Sequence, residues 1–539
     1  MTEPATRPPS GKERINTRAA GVIGIAVMCS RVLGLIRETL FAALFGGGRE
    51  MDVFIAAFRI PNLLRDLFAE GALSTAFVTV FSRTIVAEGE QAAWRLANKV
   101  MTLATVFMSL ITLLGILTAP WIVGFIAPGF DADKAAMTTP LVRVMYPFIL
   151  LVSLAALVMG MLNARNVFGM PAMASSFFNL GSIIGGVAIG WWIDPSFGSR
   201  ALLGLAVGTL IGGALQLGVQ LPSLRRAGFS FQADWRWRTA GVRNMLTLMG
   251  PAIIAASSVQ VNVLVNSMFA SQLGDGPIAW LNNAFRVMQL PLGLFGVALG
   301  TVALPVLARL AASSHMGQFR TELARAMRLS FVLTIPATIG LVVLAEPIMS
   351  VLYQHGKFTA AQTAQAAGAL QLYAIGLCAY ATMKVLVNAF YAVDKRRTPM
   401  LVSLLAIGLN ALLCWLFVTH FGWGHRGLAA STACIATFNF AVLYALMHRH
   451  LRSMDTALLL RTLLKVVLAG LVLALAAWAG RHYWLSDWAT QAFIPKTLRL
   501  LAVIALSGTA FLLAALALRV EELKVIVASV RRRLNRRTG

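Results

Sequence analysis

Residues 53–82 read VFIAAFRIPNLLRDLFAEGALSTAFVTVFS. A helix needs about 20 apolar residues to cross a bilayer, and this run is long enough. Yet Arg59, Arg65, Asp66 and Glu70 sit in its middle. An ionisable side chain at that depth costs at least ~2.5–3.5 kcal/mol on insertion scales, so each needs a reason. Residues 278–308, IAWLNNAFRVMQLPLGLFGVALGTVALPVLA, follow the same plan. Phe58-Arg59 returns as Phe285-Arg286, Phe68 as Phe295, Ser74 as Thr301 and Ala76 as Ala303, each at an offset of 227. Phe41-Ala42 and Gly46 return as Phe269-Ala270 and Gly274, Gly129 and Tyr146 as Gly356 and Tyr373, and Pro171 as Pro399. An offset that holds over so long a stretch marks an internal repeat.

Composition places the repeat in a membrane. Of 539 residues 58% are hydrophobic and only 12% charged, against roughly 25% charged in soluble domains. No sustained apolar–polar alternation of the β-barrel kind occurs, and backbone in lipid must satisfy its own hydrogen bonds, so the apolar runs are read as helices. About fourteen spans are expected, near 20–45, 53–82, 96–126, 138–163, 171–192, 201–221, 245–272, 278–308, 328–353, 364–392, 400–419, 427–447, 459–480 and 498–519. The net charge of +25 would point to nucleic acid in a soluble chain. Here the basic residues gather in alternate loops, as at Arg225, Arg226, Arg236, Arg238 and Arg243, at Lys395-Arg396-Arg397, and in the tail Arg531–Arg537. The positive-inside rule puts those loops and both termini in the cytoplasm.

Six spans precede the repeat point, so both copies insert with one orientation, as in a parallel transporter repeat. The expected class is an all-α polytopic membrane protein, with two six-helix lobes in parallel repeat plus two extra C-terminal helices. The parts are a tail 1–19, an N-lobe 20–222, a basic linker 223–244, a C-lobe 245–449, two helices within 458–520 and a tail 521–539. A central cleft and a rocking motion follow from that plan.

The embedded charges are candidates for function. Arg31, Arg37, Arg65 and Arg286 exceed what nearby acids can neutralise, and guanidinium forks suit phosphate and carboxylate. They predict a basic, water-filled cavity for an anionic head group, with Arg59, Glu70 and Lys384 as further lining. For Arg143, Glu346, Glu38 and Asp66, and for Lys384 as well, the plainer reading is snorkelling or mutual pairing. Arg37-Glu38 and Arg65-Asp66 are adjacent in sequence, and neighbours on a helix do not ordinarily face each other. The spacings Gly181-x3-Gly185, Gly186-x3-Gly190 and Gly204-x3-Gly208-x3-Gly212 read as close helix packing. Cys29, Cys378, Cys414 and Cys434 lie in apolar runs and form no metal or disulfide pattern. There is no GxxxxGK[ST] nucleotide loop and no HExxH. A transporter without cofactor or metal is expected, not an enzyme. Its energy would come from a coupling cation, the membrane potential or the substrate's own gradient.

Phe58–Phe77, Ser30-Arg31-Val32-Leu33-Gly34 with Arg37, Gly296–Pro305, Tyr353–Thr359 and Arg397-Thr398-Pro399 together resemble the MurJ (MviN) family of lipid II flippases. The resemblance implies the fold of the multidrug/oligosaccharidyl-lipid/polysaccharide exporters and a bacterial cytoplasmic (inner) membrane. It implies transfer of lipid II, the undecaprenyl-pyrophosphate-linked disaccharide-pentapeptide of peptidoglycan biosynthesis, from the inner to the outer leaflet. It places the family's important positions on Arg31, Arg37, Asp52, Arg65 and Arg286, and gives the last two helices a groove for the lipid tail. Expected partners are lipid II, membrane lipids and the division or elongation machinery, with no nucleic acid. Two departures stand out: Phe285 where the family often has an acid, and Thr79 where it often has proline. The competing readings are export of another polyprenyl-linked saccharide, drug/cation antiport, a membrane glycosyltransferase and a scaffold.

Overall fold

The computed structural model describes residues 17–67, 73–452, 454–486 and 491–523. Glu70 and most of both terminal tails fall outside them. The helices of the first half are α1 (Thr17–Phe45), α2 (Arg49–Leu64), α3 (Leu73–Glu88), α4 (Glu90–Leu117), α5 (Ala119–Ile126), α6 (Ala132–Met145), α7 (Phe148–Ala164), α8 (Gly169–Ile193), α9 (Leu202–Gly218) and α10 (Leu221–Arg226). The second half has α11 (Ala240–Ser271), α12 (Pro277–Pro291), α13 (Ala298–Ala312), α14 (Met316–Val343), α15 (Ala345–Tyr353), α16 (Ala360–Ile375), α17 (Leu377–Ala392), α18 (Arg397–Trp415) and α19 (Gly424–Leu451). Two final helices, α20 (Thr456–Trp484) and α21 (Phe493–Ala517), pack on each other and on α14. No strand occurs among the described residues.

Among the described residues, nine helical segments are long and apolar enough to cross a membrane, or ten if α16 and α17, bent by 41°, form one span. The sequence reading expected about fourteen. Some of the remaining stretches carry polar groups or a break. α1 carries Arg31, Arg37 and Glu38, and α11 carries Gln260, Asn262 and Asn266. α12 ends at Pro291 and passes into a π-helical turn, Leu292–Val297. Proline removes a backbone donor, and the wider turn accommodates the loss. Other breaks also stand beside a proline: α4 and α5 part at Thr118, just before Pro120, and α6 and α7 part at Tyr146-Pro147.

The glycine spacings pack as expected. α8 and α9 lie so close that a Cβ on Gly208 would overlap the backbone of Gly186, and one on Gly204 would overlap Gly190. In lipid no hydrophobic force drives helices together, so close backbone approach supplies the dispersion contact.

The apolar core is divided in a way that shapes the molecule. One cluster joins both halves, packing Phe41, Met51 and Phe54 with Ile278, Tyr353 and Phe358. A second belongs to the first half and the start of α11, around Phe77, Phe81 and Met245. A third belongs to the second half with α20 and α21, around Phe319, Phe390 and Val466. The halves thus share a core at one end and keep separate cores at the other.

Gly208→Leu is expected to destabilise the protein by about 1–3 kcal/mol through overpacking. Gly218→Ala in the same helix, where a Cβ meets nothing within 4 Å, should melt with the wild type. Thermal unfolding of detergent-purified protein compares the two.

Candidate functional site

Between the separated cores lies a cavity of about 410 Å³. α1 lines it with Ser30, Arg31, Arg37 and Glu38, and α2 with Asn62 and, at its C-cap, Arg65. α8 adds Phe178 and Asn179, α12 adds Arg286 and Gln289, and α17 adds Lys384. The lining holds five cations, Arg31, Arg37, Arg65, Arg286 and Lys384, against one carboxylate, Glu38. The four arginines singled out in the sequence therefore converge on one space.

Both adjacent-residue pairs form, the plainer reading of Glu38 and Asp66, although neighbours on a helix do not ordinarily face each other. Arg37 Nη2 donates to Glu38 Oε1 at 2.6 Å, and the guanidinium also lies 5.3 Å from the centre of the Phe178 ring. Arg65 donates to Asp66 Oδ1 from Nε at 3.2 Å and Nη2 at 3.0 Å. A long guanidinium stem can fold back along its own helix, which the rule for short side chains does not cover. Asp66 is further held by Gln260 Nε2 at 3.0 Å. Arg286 Nη2 stands 3.9 Å from Glu38, so one carboxylate serves two arginines. Arg31 lies against Gly293, where any Cβ would overlap the guanidinium; glycine there makes room for the charge. Neither Arg31 nor Lys384 has an ion-pair partner among the described residues. Arg59 faces an adjoining chamber, and its Nε is buried without a hydrogen-bond partner among the described residues.

Other charges take the plainer role. Glu346 pairs with Arg481 at 2.6 Å, tying α15 to α20, and Arg143 donates to the Ile116 carbonyl at 3.3 Å. Sequence reasoning passed over Asn62, Asn179, Gln216 and Gln289, which also line the cavity. A neutral amide in an apolar run gives little signal; for Asn62 and Gln289 the one clue is an arginine one helical turn away, and Asn179 and Gln216 lack even that.

Asp52, another of the positions the resemblance singles out, does not line this cavity. It is fully buried at the end where the halves share a core. Its carboxylate accepts from Gly276 N at 2.6 Å and Ala279 N at 2.8 Å, the first backbone donors of α12. Asp52 also lies in the first turn of α2. Two positive helix ends therefore meet one anion, an arrangement that unpaired N–H groups and helix dipoles favour. Lys134, itself buried, lies 3.9 Å from Asp52, pairs with Asp275 at 2.5 Å and donates to Gly274 O at 2.9 Å.

Further contacts seal that end. Gly47 N donates to Gln362 Oε1 at 2.9 Å, Gly129 N to Ser271 Oγ at 3.1 Å, and Lys357 N to Ala43 O at 2.8 Å. Gly356 adopts φ +56° against the Ala43 carbonyl, a left-handed turn with no room for a Cβ and suited to glycine. Lys357 Nζ donates to the Ser196 and Phe197 carbonyls at 2.6 and 2.9 Å. The Asp194 carboxyl of that turn is held below the usual carboxylate range, chiefly by the Ser196 hydroxyl and in smaller part by the Lys357 charge.

Removing Asp52 strands two buried N–H groups, at about 1–3 kcal/mol each. Asp52→Ala should therefore loosen the sealed end. Pulsed EPR between spin labels at Glu50 and Ala361 is expected to show a longer, broader distance distribution in the variant than in the parent.

Known proteins resemble this chain over most of its length. The family profile described as "Lipid II flippase MurJ" matches residues 41–499. A probable lipid II flippase MurJ of Vibrio cholerae is 33% identical, over 93% of this chain and 96% of that one. The lipid II flippase MurJ of Burkholderia cenocepacia is 33% identical, over 87% and 91%. Among solved structures, "Lipid II flippase MurJ, inward closed conformation" superposes with a TM-score of 0.74 at 24% identity, covering 91% of this chain and 98% of that one. An inward-facing multidrug resistance MATE family transporter of the MOP superfamily gives 0.67 at 13% identity, over 80% and 98%. These two likenesses establish the fold.

Proposed function

This chain belongs to the lipid II flippase MurJ family, and we propose that it moves lipid II from the inner to the outer leaflet of the bacterial cytoplasmic membrane by alternating access through the arginine cavity. The observation that carries the site assignment is the imbalance of five cations to one carboxylate in the cavity lining. Hydrocarbon rejects a phosphate because it cannot replace the hydrogen bonds of water. Guanidinium forks in a hydrated cavity replace them, while the polyprenyl tail stays in lipid. Arg31, Arg37, Arg65 and Arg286 are the groups we assign to the pyrophosphate, with Arg59 and Lys384 beside them.

On this reading the helical segments make fourteen crossings in two six-helix lobes, with α20 and α21 beside the tail. The positive-inside rule places both termini in the cytoplasm and the Asp52 end outside. The sealed end then closes the outer face and leaves the cavity to load from the inside. A membrane potential, negative inside, favours outward passage of an anion by ~2.3 kcal/mol per charge per 100 mV. A coupling cation would act by biasing one of the two states. The cationic lining weighs against a drug/cation antiporter, whose substrate it would repel.

Arg286→Ala should lower transport at least ~10-fold at normal protein level, since a hydrogen bond to a charged group is worth about 1.5–3 kcal/mol. Arg286→Lys should keep part of it. Depletion in cells, with the precursor scored by leaflet, tests the assignment as a whole. The precursor is expected to accumulate in the inner leaflet, and an unchanged outer-leaflet pool in cells with no second flippase would remove it.

A further inference from the structure

The short helix α15 bridges two of the cores. It carries Met349 and Tyr353 into the shared core and Val351 into the core of the second half, and Ile348 packs against both. Just past its end the chain reaches the seal. Gly356 turns against the Ala43 carbonyl, Lys357 N donates to that carbonyl, and Lys357 Nζ holds the Ser196–Phe197 turn. Ahead of α15 the helix is broken. α14 stops at Val343, Leu344 takes φ −102° and ψ 17°, and Pro347 stands in the first turn of α15. In a continuous helix the Val343 carbonyl would accept from the N–H of residue 347, and proline has none.

The last two helices supply what the break lacks. Arg481, near the end of α20, donates from Nη1 to the Val343 carbonyl at 3.2 Å and from Nη2 to Glu346 Oε2 at 2.6 Å. One guanidinium thus holds the end of α14 and the first turn of α15 together, a span that suits its planar fork. Lys496, in the first turn of α21, donates to Ser350 Oγ, and that hydroxyl donates to Gln354 Oε1 at 2.7 Å, where α15 ends. Lys496 and Ser350 are both buried. An ammonium is costly to keep out of water, and this one is spent on α15. The Phe493 ring, also at the start of α21, meets the His355 ring edge-on, with centroids 5.3 Å apart. α15 is therefore gripped at both ends and along its length by the pair α20–α21.

We propose that Arg481 and Lys496 are positioning residues for the outer seal: from α20 and α21 they fix the angle at the α14–α15 break, and so hold residues 354–359 against the end of α1. The proposal rests on the reading above that the Asp52 end closes the outer face, and it gives the last two helices a second task beside the lipid tail. The seal's own hydrogen bonds to that end of α1 are made by Lys357 and Gln362. Arg481 and Lys496 act on them through α15, so a shift of the pair α20–α21 carries the seal with it.

The test is pulsed EPR on the full-length protein in lipid nanodiscs, with labels at Glu50 and Ala361, and thermal unfolding alongside. Arg481→Met and Lys496→Met keep much of the side-chain volume and remove the donors. Both are expected to lengthen and broaden the distance distribution, raising the open population about tenfold, as for a lost bond to a charged group. If those variants do not fold, Glu346→Gln carries the same expectation in smaller degree. The charge swap Arg481→Glu with Glu346→Arg restores the pair, and is expected to bring the distribution back toward that of the parent. A lower melting temperature with the parent's distribution, in Arg481→Met and Lys496→Met alike, would mean that these bonds only add stability, and would overturn the proposal. So would a distribution that shifts in Arg481→Met and stays fully shifted in the swap. If Asp52→Ala itself leaves the distance unchanged, the outer-seal reading fails, and the proposal with it; if Asp52→Ala alone shifts it, only the proposal fails.

Discussion

A guanidinium group cannot rest in hydrocarbon, and much of this architecture follows from that constraint. Ionised side chains at bilayer depth must pair, reach an interface or face a hollow. Arg37 and Arg65 fold back onto their neighbouring acids, Arg286 shares Glu38, and Arg31 fits against Gly293. The stretches that hold these charges are too polar or too broken to stand in lipid unaided, and they line the hollow. The uninterrupted apolar helices, α4, α8, α14, α19, α20 and α21 among them, can bear the lipid contact. The split between stiff outer helices and interrupted inner ones is thus one consequence of placing positive charge at the centre.

The division of the core gives that hollow its shape. With a shared core at one end and separate cores at the other, the halves can part only where nothing joins them. The sealed end adds backbone hydrogen bonds and one buried carboxylate, that of Asp52, to its shared apolar core. Such contacts are directional and few, so they can be exchanged as a set. An interface of that kind suits a protein that must hold one end shut firmly and still release it.

The sequence disclosed the membrane class, the helical runs and the repeat, because hydrophobic length and a constant offset are properties of the chain itself. It also disclosed which arginines would meet, since each was anomalous where it stood. The function of Asp52 was not legible. A carboxylate in the first turn of α2 looks like ordinary helix-end chemistry, and nothing local reveals a second helix, distant in the chain, docking its own N-terminus there. The pairing of Arg37 with Glu38 is the plainer reading of that acid in the sequence, although helix geometry, which describes where Cβ atoms point and not where a flexible guanidinium ends, gives it no support. The breaks at Thr118 and Tyr146 stand beside Pro120 and Pro147, which a reading of continuous hydropathy alone does not weigh. The amides of the cavity wall were invisible for a related reason: Asn and Gln in an apolar helix are cheap enough to need no excuse, so only their convergence gives them meaning.

The contact between Asp52 and Ala279 spans 227 positions, the repeat offset itself. Each residue therefore touches its own counterpart, as happens only on an axis of two-fold symmetry. Had the halves been identical subunits, an aspartate at that point would have faced another aspartate, with two like charges pressed together in a dry interior. Alanine on one side removes the repulsion and leaves one acid for both helix ends. A homodimer cannot make that substitution, because every change appears twice. Joining the copies in a single polypeptide is what permits an unequal pair, Asp52 with Ala279, at that point.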